Sequence, residues 1–175
     1  MNLNKRQVKA LLEVISADLT RPALTYAYID DYDGKTVLVA TDSYKLAVLD
    51  VGRVPDPEAH VGKFVARAEL LKWYKLAESR DLLTSEGVLG MAERIDEAIK
   101  YPDWRMLLTR HYERVATLVK HKEFVGASQL SFNTEYAVHL ETLAGGNLNY
   151  KLTGNIDMMV ATKNGNLYIL MPRKG

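Results

Sequence analysis

Residues 39–48, with the sequence VATDSYKLAV, carry the strongest structural signal in the chain. The apolar runs 36–41 and 45–51 are typical of strands, and the three polar residues between them provide a short connection. Upstream, the apolar run 24–29 is followed by Asp33-Gly34, a dipeptide that favours a hairpin turn. The sequence therefore predicts antiparallel strands at the centre of its N-terminal half.

Apolar residues at helical spacing predict three helices. The first spans 4–19, with Asn4 as its N-cap and Pro22 just beyond its end. The others span about 67–79 and 133–143, and a Gly-Gly pair ends the last one. Because strand-like residues follow each helix, one helix-plus-strands pattern is expected three times, with helices that begin near residues 4, 67 and 132.

Further short strands are expected after the second and third helices. They are predicted at 64–65, 82–83, 88–92, around Ile99, 150–152, 157–162 and 167–171, with Asn164-Gly165 as the final hairpin turn. Residues 39–49 and 160–170 resemble each other, which either marks an internal repeat or reflects how alike short valine-rich hairpins are. Residues 106–129 fit a helix or a strand, and the sequence leaves both open.

The composition restricts the class of protein. The 175 residues are 47% hydrophobic and 26% charged, which is ordinary for a globular domain. No run of about 18 apolar residues is present to cross a bilayer, and no apolar segment of a signal peptide follows the N-terminus. The chain has no cysteine, which excludes disulfides and thiolate metal sites and suits a cytoplasmic protein. We expect no membrane partner.

Motifs for catalysis or cofactor binding are absent from the sequence. There is no phosphate-binding loop, dinucleotide fingerprint, nucleophile elbow or zinc-protease motif. Asp30, Asp31 and Asp33 before Gly34 suggest a calcium loop, but the twelfth position is Ala40, where a bidentate glutamate is needed. The four histidines are far apart in sequence. We therefore expect a protein that is not an enzyme, with no cofactor and no metal site.

The charges are balanced, at +1 from 23 basic and 22 acidic residues. Binding to nucleic acid would therefore need basic residues gathered on one face. The first two predicted helices have basic outer faces, which suit contacts to phosphates without base reading. The candidate DNA-binding residues are Lys5, Arg6, Lys9, Arg67, Lys72, Lys75 and Arg80. A solvated helix face is the alternative, and the third helix is acidic at Glu135 and Glu141.

Four segments, in order, resemble the bacterial sliding clamp, the DNA polymerase III beta subunit. VATDSYKLAV (39–48) is similar to the clamp's VATDGHRLAV, YPDWR (101–105) to FPDYR, FNTEY (132–136) to FNxxY, and YILMPR (168–173) to YVVMPMR. The resemblance covers most of residues 1–105 and 130–175. It identifies a shortened clamp-like protein and leaves open whether it is phage-derived or chromosomal.

The resemblance implies an α+β protein with the DNA-clamp fold. That fold is built of βαβββ units, with antiparallel sheets outside and helices on one face. The chain would amount to about one and a half clamp domains. Residues 1–105 would form a complete domain that resembles the middle one, 106–129 a connecting segment, and 130–175 the C-terminal half of the last domain.

In this family, the four segments contribute to one pocket that receives short, partly apolar peptides of the polymerase, the clamp loader and repair proteins. By matching position, the peptide-binding pocket here would comprise Thr41, Ser43, Tyr44, Lys45, Leu46, Pro102, Arg105, Leu107, Asn133, Tyr136, Ile169, Leu170, Met171, Pro172 and Arg173. Its apolar floor would be Leu46, Leu107, Ile169 and Met171. Tyr136 would act as a gate, while Asn133 and Arg173 would bind peptide carbonyls. Ordinary sheet-core positions are the alternative.

This sequence departs from the family pattern at Ser43, Tyr44 and Lys45, which replace glycine, histidine and arginine. A turn that needs positive φ at residue 43 would strain a serine. The resemblance implies a processivity factor that contacts duplex DNA without sequence preference and binds peptides of a polymerase and a clamp loader. Three units per chain fill only part of a ring, so a homo-oligomer, a dimer or tetramer, is expected. The alternative is a non-ring adaptor or decoy that sequesters polymerase or loader.

Overall fold

The computed structural model describes residues 1–109, 112–119, 123–125, 132–153 and 158–171. The α-helices in these ranges are α1 (Lys5–Val14), α2 (Arg67–Leu76), α3 (Ser85–Gly90) and α4 (Thr134–Leu143). The strands are β1 (Asn2–Asn4), β2 (Tyr26–Tyr32), β3 (Lys35–Thr41), β4 (Lys45–Asp50), β5 (Phe64–Ala66), β6 (Leu82–Thr84), β7 (Ala92–Glu93), β8 (Tyr112–Val119), β9 (Glu123–Val125), β10 (Asn149–Thr153), β11 (Met159–Lys163) and β12 (Asn166–Leu170). Two 3-10 helices cover Pro22–Thr25 and Trp104–Thr109. The α+β fold class is confirmed.

Ten strands form one antiparallel sheet in the order β7-β5-β2-β3-β4-β12-β11-β10-β8-β9, and β1 pairs with β6 in a separate two-stranded sheet. The pairing of β4 with β12 joins the N-terminal and C-terminal parts of the chain. In this pairing Leu46 lies opposite Ile169, and Val48 lies opposite Leu167. The candidate site lies at this junction.

Two predicted hairpin turns are confirmed at the centre of the sheet. Between β2 and β3, Asp33 has φ 55° and Gly34 has φ 69°. Between β11 and β12, Asn164 has φ 52° and Gly165 has φ 80°. Positive φ at both central residues is the geometry of the tight turns whose twist matches that of paired strands, and asparagine, aspartate and glycine tolerate it best.

Side chains of the large sheet alternate between its two faces, as the strand repeat requires. Leu38 and Ala40 of β3 and Leu49 of β4 lie in a core with the helices. Val37 and Val39 lie in a second apolar cluster on the opposite face. The helix-side core also contains Val8, Leu11, Leu12, Leu70, Leu140 and Tyr168. The fold therefore places the helices on one face of the sheet.

Helices α1 and α4 pack together over the β4–β12 junction. The Gln7 side chain of α1 donates a hydrogen bond to the Leu143 carbonyl of α4 at 2.9 Å. Asn4 caps α1 by accepting from the Gln7 amide at 3.0 Å, and Asn133 caps α4 by accepting from the Glu135 amide at 3.0 Å. The predicted starts of both helices are confirmed.

The predicted helix 4–19 is five residues too long, because α1 ends at Val14. The next residue, Ile15, is extended, and the Ser16 amide donates to the Leu24 carbonyl at 2.9 Å, which turns the chain away from the helix axis. The predicted strand at 24–29 begins only at Tyr26, because Pro22 starts a 3-10 turn that its fixed φ favours.

The predicted strand at 88–92 is wrong, because residues 85–90 form helix α3. Thr84 provides its N-cap and accepts from the Gly87 amide at 3.2 Å, while Val88 is buried. Ile99 lies in no strand of the described chain, and α2 ends at Leu76 rather than near residue 79. The middle copy of the helix-plus-strands pattern therefore has a shorter helix than predicted, and a second helix replaces most of one predicted strand.

The segment 106–129, left open between helix and strand, contains the end of a 3-10 helix and then β8 and β9. Strand β8 pairs with β10 in the large sheet. Residues 110–111, 120–122 and 126–131 lie outside the described residues. The division of the chain into a complete domain, a connecting segment and a half domain stays a prediction. Within the described ranges, no helix combines the length and apolarity that a bilayer crossing needs.

Candidate functional site

A mostly apolar cavity lies on the face of the sheet opposite the helices, where β4 meets β12. We call it the apolar pocket, and its volume is about 240 Å³. Its lining residues are Leu24, Thr41, Ser43, Lys45, Leu46, Pro102, Asp103, Trp104, Leu107, Ile169 and Met171. Strands β3, β4 and β12 supply the floor, and the segment 101–109 supplies one wall.

The floor of the apolar pocket is held by backbone pairing. Leu46 and Ile169 are partners across the β4–β12 ladder, and both side chains are buried. Beyond the last pair of that ladder, the Met171 amide donates to the Tyr44 carbonyl at 2.8 Å. The Thr41 hydroxyl donates to the Lys45 carbonyl at 2.8 Å. The floor is therefore fixed by the sheet.

The wall of the apolar pocket is attached to the sheet through a buried carboxylate. Asp30 of β2 is only 5% exposed. It accepts from Trp104 Nε1 at 2.9 Å and from Arg105 Nη2 at 2.7 Å. These two donors belong to the segment that also brings Pro102 and Leu107 to the cavity. Asp30 therefore holds this wall without lining the pocket.

Tyr101 provides a second attachment for the same wall. Its ring stacks on Tyr28 with 5.0 Å between centroids, and its hydroxyl donates to the Val39 carbonyl at 3.1 Å. Burial raises the pKa of the Tyr101 phenol far above its ordinary value. The hydroxyl is therefore a permanent neutral donor at physiological pH.

The turn 42–45 borders the apolar pocket and is strained at Ser43, whose φ is 80°. Hydrogen bonds to the side chains of Asp42 and of Thr41, just before the turn, hold it in this conformation. The Asp42 carboxylate accepts from the amides of Tyr44 at 2.9 Å and Lys45 at 3.0 Å, and Thr41 Oγ1 accepts from the Ser43 amide at 3.1 Å. Asp42 also forms an ion pair with Lys45, whose side chain is 3% exposed. Ser43, which stands where the similar clamp motif has glycine, therefore does occupy a positive-φ position.

A second cavity, of about 360 Å³, lies on the other side of this turn, between α1 and α4. We call it the polar cleft. Its lining residues are Leu12, Glu13, Ile15, Ser16, Ala17, Asp18, Arg21, Asp42, Tyr44, Lys45, Arg67, Glu135, Tyr136 and His139. Lys45 borders both cavities, and its ammonium lies 4.2 Å from the centre of the Tyr136 ring. The ring of Tyr44 lies 5.9 Å from that of Tyr136.

The structure brings eight predicted pocket residues together in the lining of the apolar pocket: Thr41, Ser43, Lys45, Leu46, Pro102, Leu107, Ile169 and Met171. Tyr44 and Tyr136 line the polar cleft. Arg105 binds Asp30, Asn133 caps α4, and Leu170 lies in the helix-side core. Pro172 and Arg173 lie outside the described residues. The role of each residue in binding stays a prediction.

Sequence reasoning missed three lining residues. Leu24 lies in a predicted strand, although Pro22 before it is a turn signal. Asp103 and Trp104 lie inside the YPDWR segment, but the resemblance points only to the residues on either side of them, Pro102 and Arg105. Trp104 is 3% exposed and is the largest apolar side chain of the wall. The signal available for Trp104 was a large aromatic residue two positions after Pro102.

Four of the seven candidate DNA-binding cations have partners within the protein. Lys5 donates to the Ala77 carbonyl at 2.6 Å, and Arg67 donates to the Leu12 carbonyl at 3.2 Å. Lys72 pairs with a glutamate on the same helix at 3.9 Å. The fourth, Arg80, lies 3.2 Å from a glutamate in the loop after that helix.

The other three candidates, Arg6, Lys9 and Lys75, are exposed on α1 and α2. In the described part of the chain, no hydrogen bond or ion pair engages their charged groups. Among the seven candidates, these three therefore have charged groups left without a partner in the described residues.

His139 of α4, in the polar cleft, makes the stability of the folded chain depend on pH. Burial and then the charge of Lys45 lower its pKa below 6.5, while Glu13, Glu135 and Asp42 act in the opposite direction. Well above pH 6.5, the His139 imidazole is neutral in both the folded and the unfolded chain. As pH falls below 6.5, the unfolded chain binds the proton first, so stability decreases until the folded-state pKa is passed.

We expect His139→Gln to remove this part of the acid destabilisation. Urea unfolding at pH 7.5 and pH 5.5 should show a smaller difference for the variant than for the wild-type chain. The same substitution at the half-buried His60 is the control. An equal pH dependence in wild type and His139→Gln would contradict the assignment.

Comparison with known proteins supports the architecture. The sequence matches no protein-family model and no curated relative. Solved structures do match it. The DNA polymerase III beta subunit of Caulobacter crescentus has a TM-score of 0.66 at 16% identity, covering 100% of this chain and 65% of that one. The beta subunit of Borrelia burgdorferi, in complex with a natural product, has a TM-score of 0.61 at 10% identity, covering 99% of this chain and 64% of that one.

A sliding clamp from Bartonella birtlesii, bound to griselimycin, has a TM-score of 0.64 at 18% identity, covering 99% of this chain and 66% of that one. At such identities the likeness shows the fold. The chain therefore has a partial sliding-clamp fold. It spans 65% of the length of the Caulobacter protein.

Proposed function

We propose that this chain is a sliding-clamp-like processivity factor that contacts duplex DNA without sequence preference and binds short, partly apolar peptides of replication proteins. It performs no catalysis. The observation that carries the proposal is the apolar pocket, because eight of the residues that the four sequence motifs selected lie in the lining of one cavity. Those residues come from three segments that are distant in sequence.

The chemistry of the apolar pocket suits leucine-like and phenylalanine-like side chains of an extended peptide. Leu46, Leu107 and Ile169 supply apolar contacts, and the partly buried Met171 can adapt its flexible side chain to different occupants. The polar groups at the rim are limited to a few, such as Asp103 and Ser43. An apolar floor with a sparse polar rim favours binding energy from buried side chains.

Contact with DNA is supported by the helix face. Arg6, Lys9 and Lys75 are exposed on α1 and α2, on the side of the sheet opposite the apolar pocket. Cations that contact phosphates give sequence-independent binding that weakens with salt. The proposed DNA surface and the proposed peptide pocket are therefore separated by the thickness of the sheet.

A homo-oligomer is part of the proposal, because one chain spans 65% of the length of a clamp subunit. The ten-stranded sheet ends in β7 and β9, each of which has one side unpaired among the described residues. Such edges can pair with another chain. We propose a dimer or tetramer. Light scattering well above micromolar concentration should give a mass of at least two chains, and a clean monomer would contradict the ring.

An adaptor or decoy without a ring is the second candidate. It is favoured by the partners of Lys5, Arg67, Lys72 and Arg80 within the protein, which leave three candidate cations for DNA. Such a protein would keep the apolar pocket and sequester a polymerase or clamp loader. Its binding to peptides would be the same, but it would not be retained on DNA.

Peptide binding is tested by fluorescence anisotropy. The probe is a fluorescein-labelled pentapeptide with two leucines and a phenylalanine, and griselimycin is the competitor, since a clamp of the same fold was solved with it. We expect saturable binding that griselimycin displaces. A labelled pentapeptide with alanine at the three apolar positions is the control. No saturable binding of the apolar peptide would refute the proposed pocket.

A further inference from the structure

The strained turn 42–45 is held from outside by Arg21. Its Nη1 donates to Ser43 Oγ at 3.0 Å and to the Asp42 carbonyl at 3.4 Å. Arg21 itself is fixed by Asp18, whose carboxylate accepts from Arg21 Nε at 3.0 Å. Arg21, which is far from the turn in sequence, thus binds it at its strained point, and Asp18 holds Arg21 in place.

This contact crosses the boundary between the two cavities. Arg21 lines the polar cleft, while Ser43 lines the apolar pocket. Between them, Lys45 borders both cavities. A change in the position of Arg21 would therefore be transmitted to the rim of the apolar pocket through residue 43.

The side chain of residue 43 is the reason why the turn requires the hydrogen bond from Arg21. A residue with a Cβ atom is disfavoured at φ 80°, whereas glycine adopts such angles freely. Locally, the side chains of Thr41 and Asp42 accept hydrogen bonds from the amides of Ser43 and Tyr44. Arg21 adds two bonds from outside the turn, and the shorter one uses the serine hydroxyl that glycine lacks.

We propose that Arg21 is a positioning residue that holds the turn 42–45 in the conformation required by the apolar pocket, and that it acts mainly through the side chain of residue 43. The inference rests on the proposed peptide binding. Arg21 acts through Ser43 and does not contact the peptide. Asp18 supports it, and hydrogen bonds from Thr20 and then from Arg21 lower the pKa of that carboxyl.

The test is a double-substitution cycle of the full chain with Arg21→Gln, Ser43→Gly and both together. Its first readout is the affinity of the fluorescein-labelled apolar pentapeptide. We expect Arg21→Gln to weaken binding about fivefold, the effect of losing a hydrogen bond from a half-exposed charged group. In the Ser43→Gly background only the 3.4 Å bond to the Asp42 carbonyl remains, so the same substitution should have a clearly smaller effect. Arg53→Gln, in an exposed loop, controls for loss of charge.

The second readout needs no peptide. Hydrogen exchange of the Tyr44 and Lys45 amides, which both donate to Asp42, reports the order of the turn in the free protein. Arg21→Gln should speed this exchange, and Ser43→Gly should suppress the difference. Equal weakening in both backgrounds would mean that Arg21 does not act through Ser43, and unchanged exchange would mean that it does not hold the turn. Either result overturns the inference.

A failure of the proposed function gives a different result. If the wild-type chain does not bind the peptide, the proposed pocket fails together with the claim that Arg21 affects its affinity. The exchange cycle would still decide whether Arg21 holds the turn. The two failures are therefore distinguishable.

Discussion

Asp30→Asn is expected to lower the free energy of unfolding by about 2–3 kcal/mol, the cost of a buried donor left without an acceptor beside a charged partner. The two carboxylate oxygens accept from different donors, Trp104 Nε1 and Arg105 Nη2. An amide of the same size has only one oxygen, so its NH2 group must face one of these donors. The segment 101–109 should then loosen from the sheet.

Loosening that segment should also affect binding, because it supplies Pro102, Trp104 and Leu107 to the apolar pocket. We expect affinity for the labelled pentapeptide to fall about tenfold, which corresponds to about 1.4 kcal/mol. Asp31→Asn is the matched control, since Asp31 is the next residue and is exposed. Urea unfolding and anisotropy measure the two effects. Equal stability of the Asp30 and Asp31 variants would argue against the buried attachment.

Leu170→Ala and Met171→Ala should have opposite consequences although the residues are adjacent. Leu170 is fully buried in the helix-side core, so its truncation should cost about 3 kcal/mol of stability. Met171 is only partly buried and lines the apolar pocket, so its truncation should cost about 1 kcal/mol or less.

The order of effects should reverse for peptide affinity. Measured on folded protein, Leu170→Ala should bind the pentapeptide like wild type. Met171→Ala should bind about tenfold more weakly, as expected for a lost apolar contact. The two variants control for each other. Both truncate a side chain of similar size, one at the end of β12 and the other at the next residue. A larger loss of affinity in Leu170→Ala would mean that the pocket lies on the helix side of the sheet.

The central part of the fold could be predicted because local chemistry decides it. Both hairpins have Asp-Gly or Asn-Gly at positions that need positive φ, and Asn4 and Asn133 cap their helices with side chains that few residues can replace. The alternating apolar strands between them leave little choice of register, since a slip of one residue would reverse both faces.

Other parts depended on contacts that the sequence does not display. Residues 88–92 have the apolar content of a strand, yet the Thr84 cap starts a helix that covers residues 85–90. Asp30 stands next to a hairpin and has the appearance of a solvated turn residue. Its partner Trp104 is 74 residues away along the chain. Only the folded chain reveals that this carboxylate is buried and holds one wall of the pocket.

The candidate site was predictable where a motif coincided with a strand. Leu46 and Ile169 were expected from the resemblance of their segments to the sliding clamp, and the structure puts them opposite each other. The polar cleft was not anticipated, because its residues come from α1, α4 and the turn 42–45, which no single motif connects. Arg21 likewise has no sequence signal that relates it to Ser43.

Retention on circular DNA tests the central claim most directly. The chain is mixed with nicked circular plasmid at low concentration and then concentrated, so that rings can close around the DNA without a loader. Gel filtration at moderate salt follows, before and after the plasmid is cut once. A sliding-clamp-like protein is expected to stay with the circle and to leave the linear DNA. Retention on neither form, or on both equally, would contradict encirclement, and retention on neither would favour the adaptor.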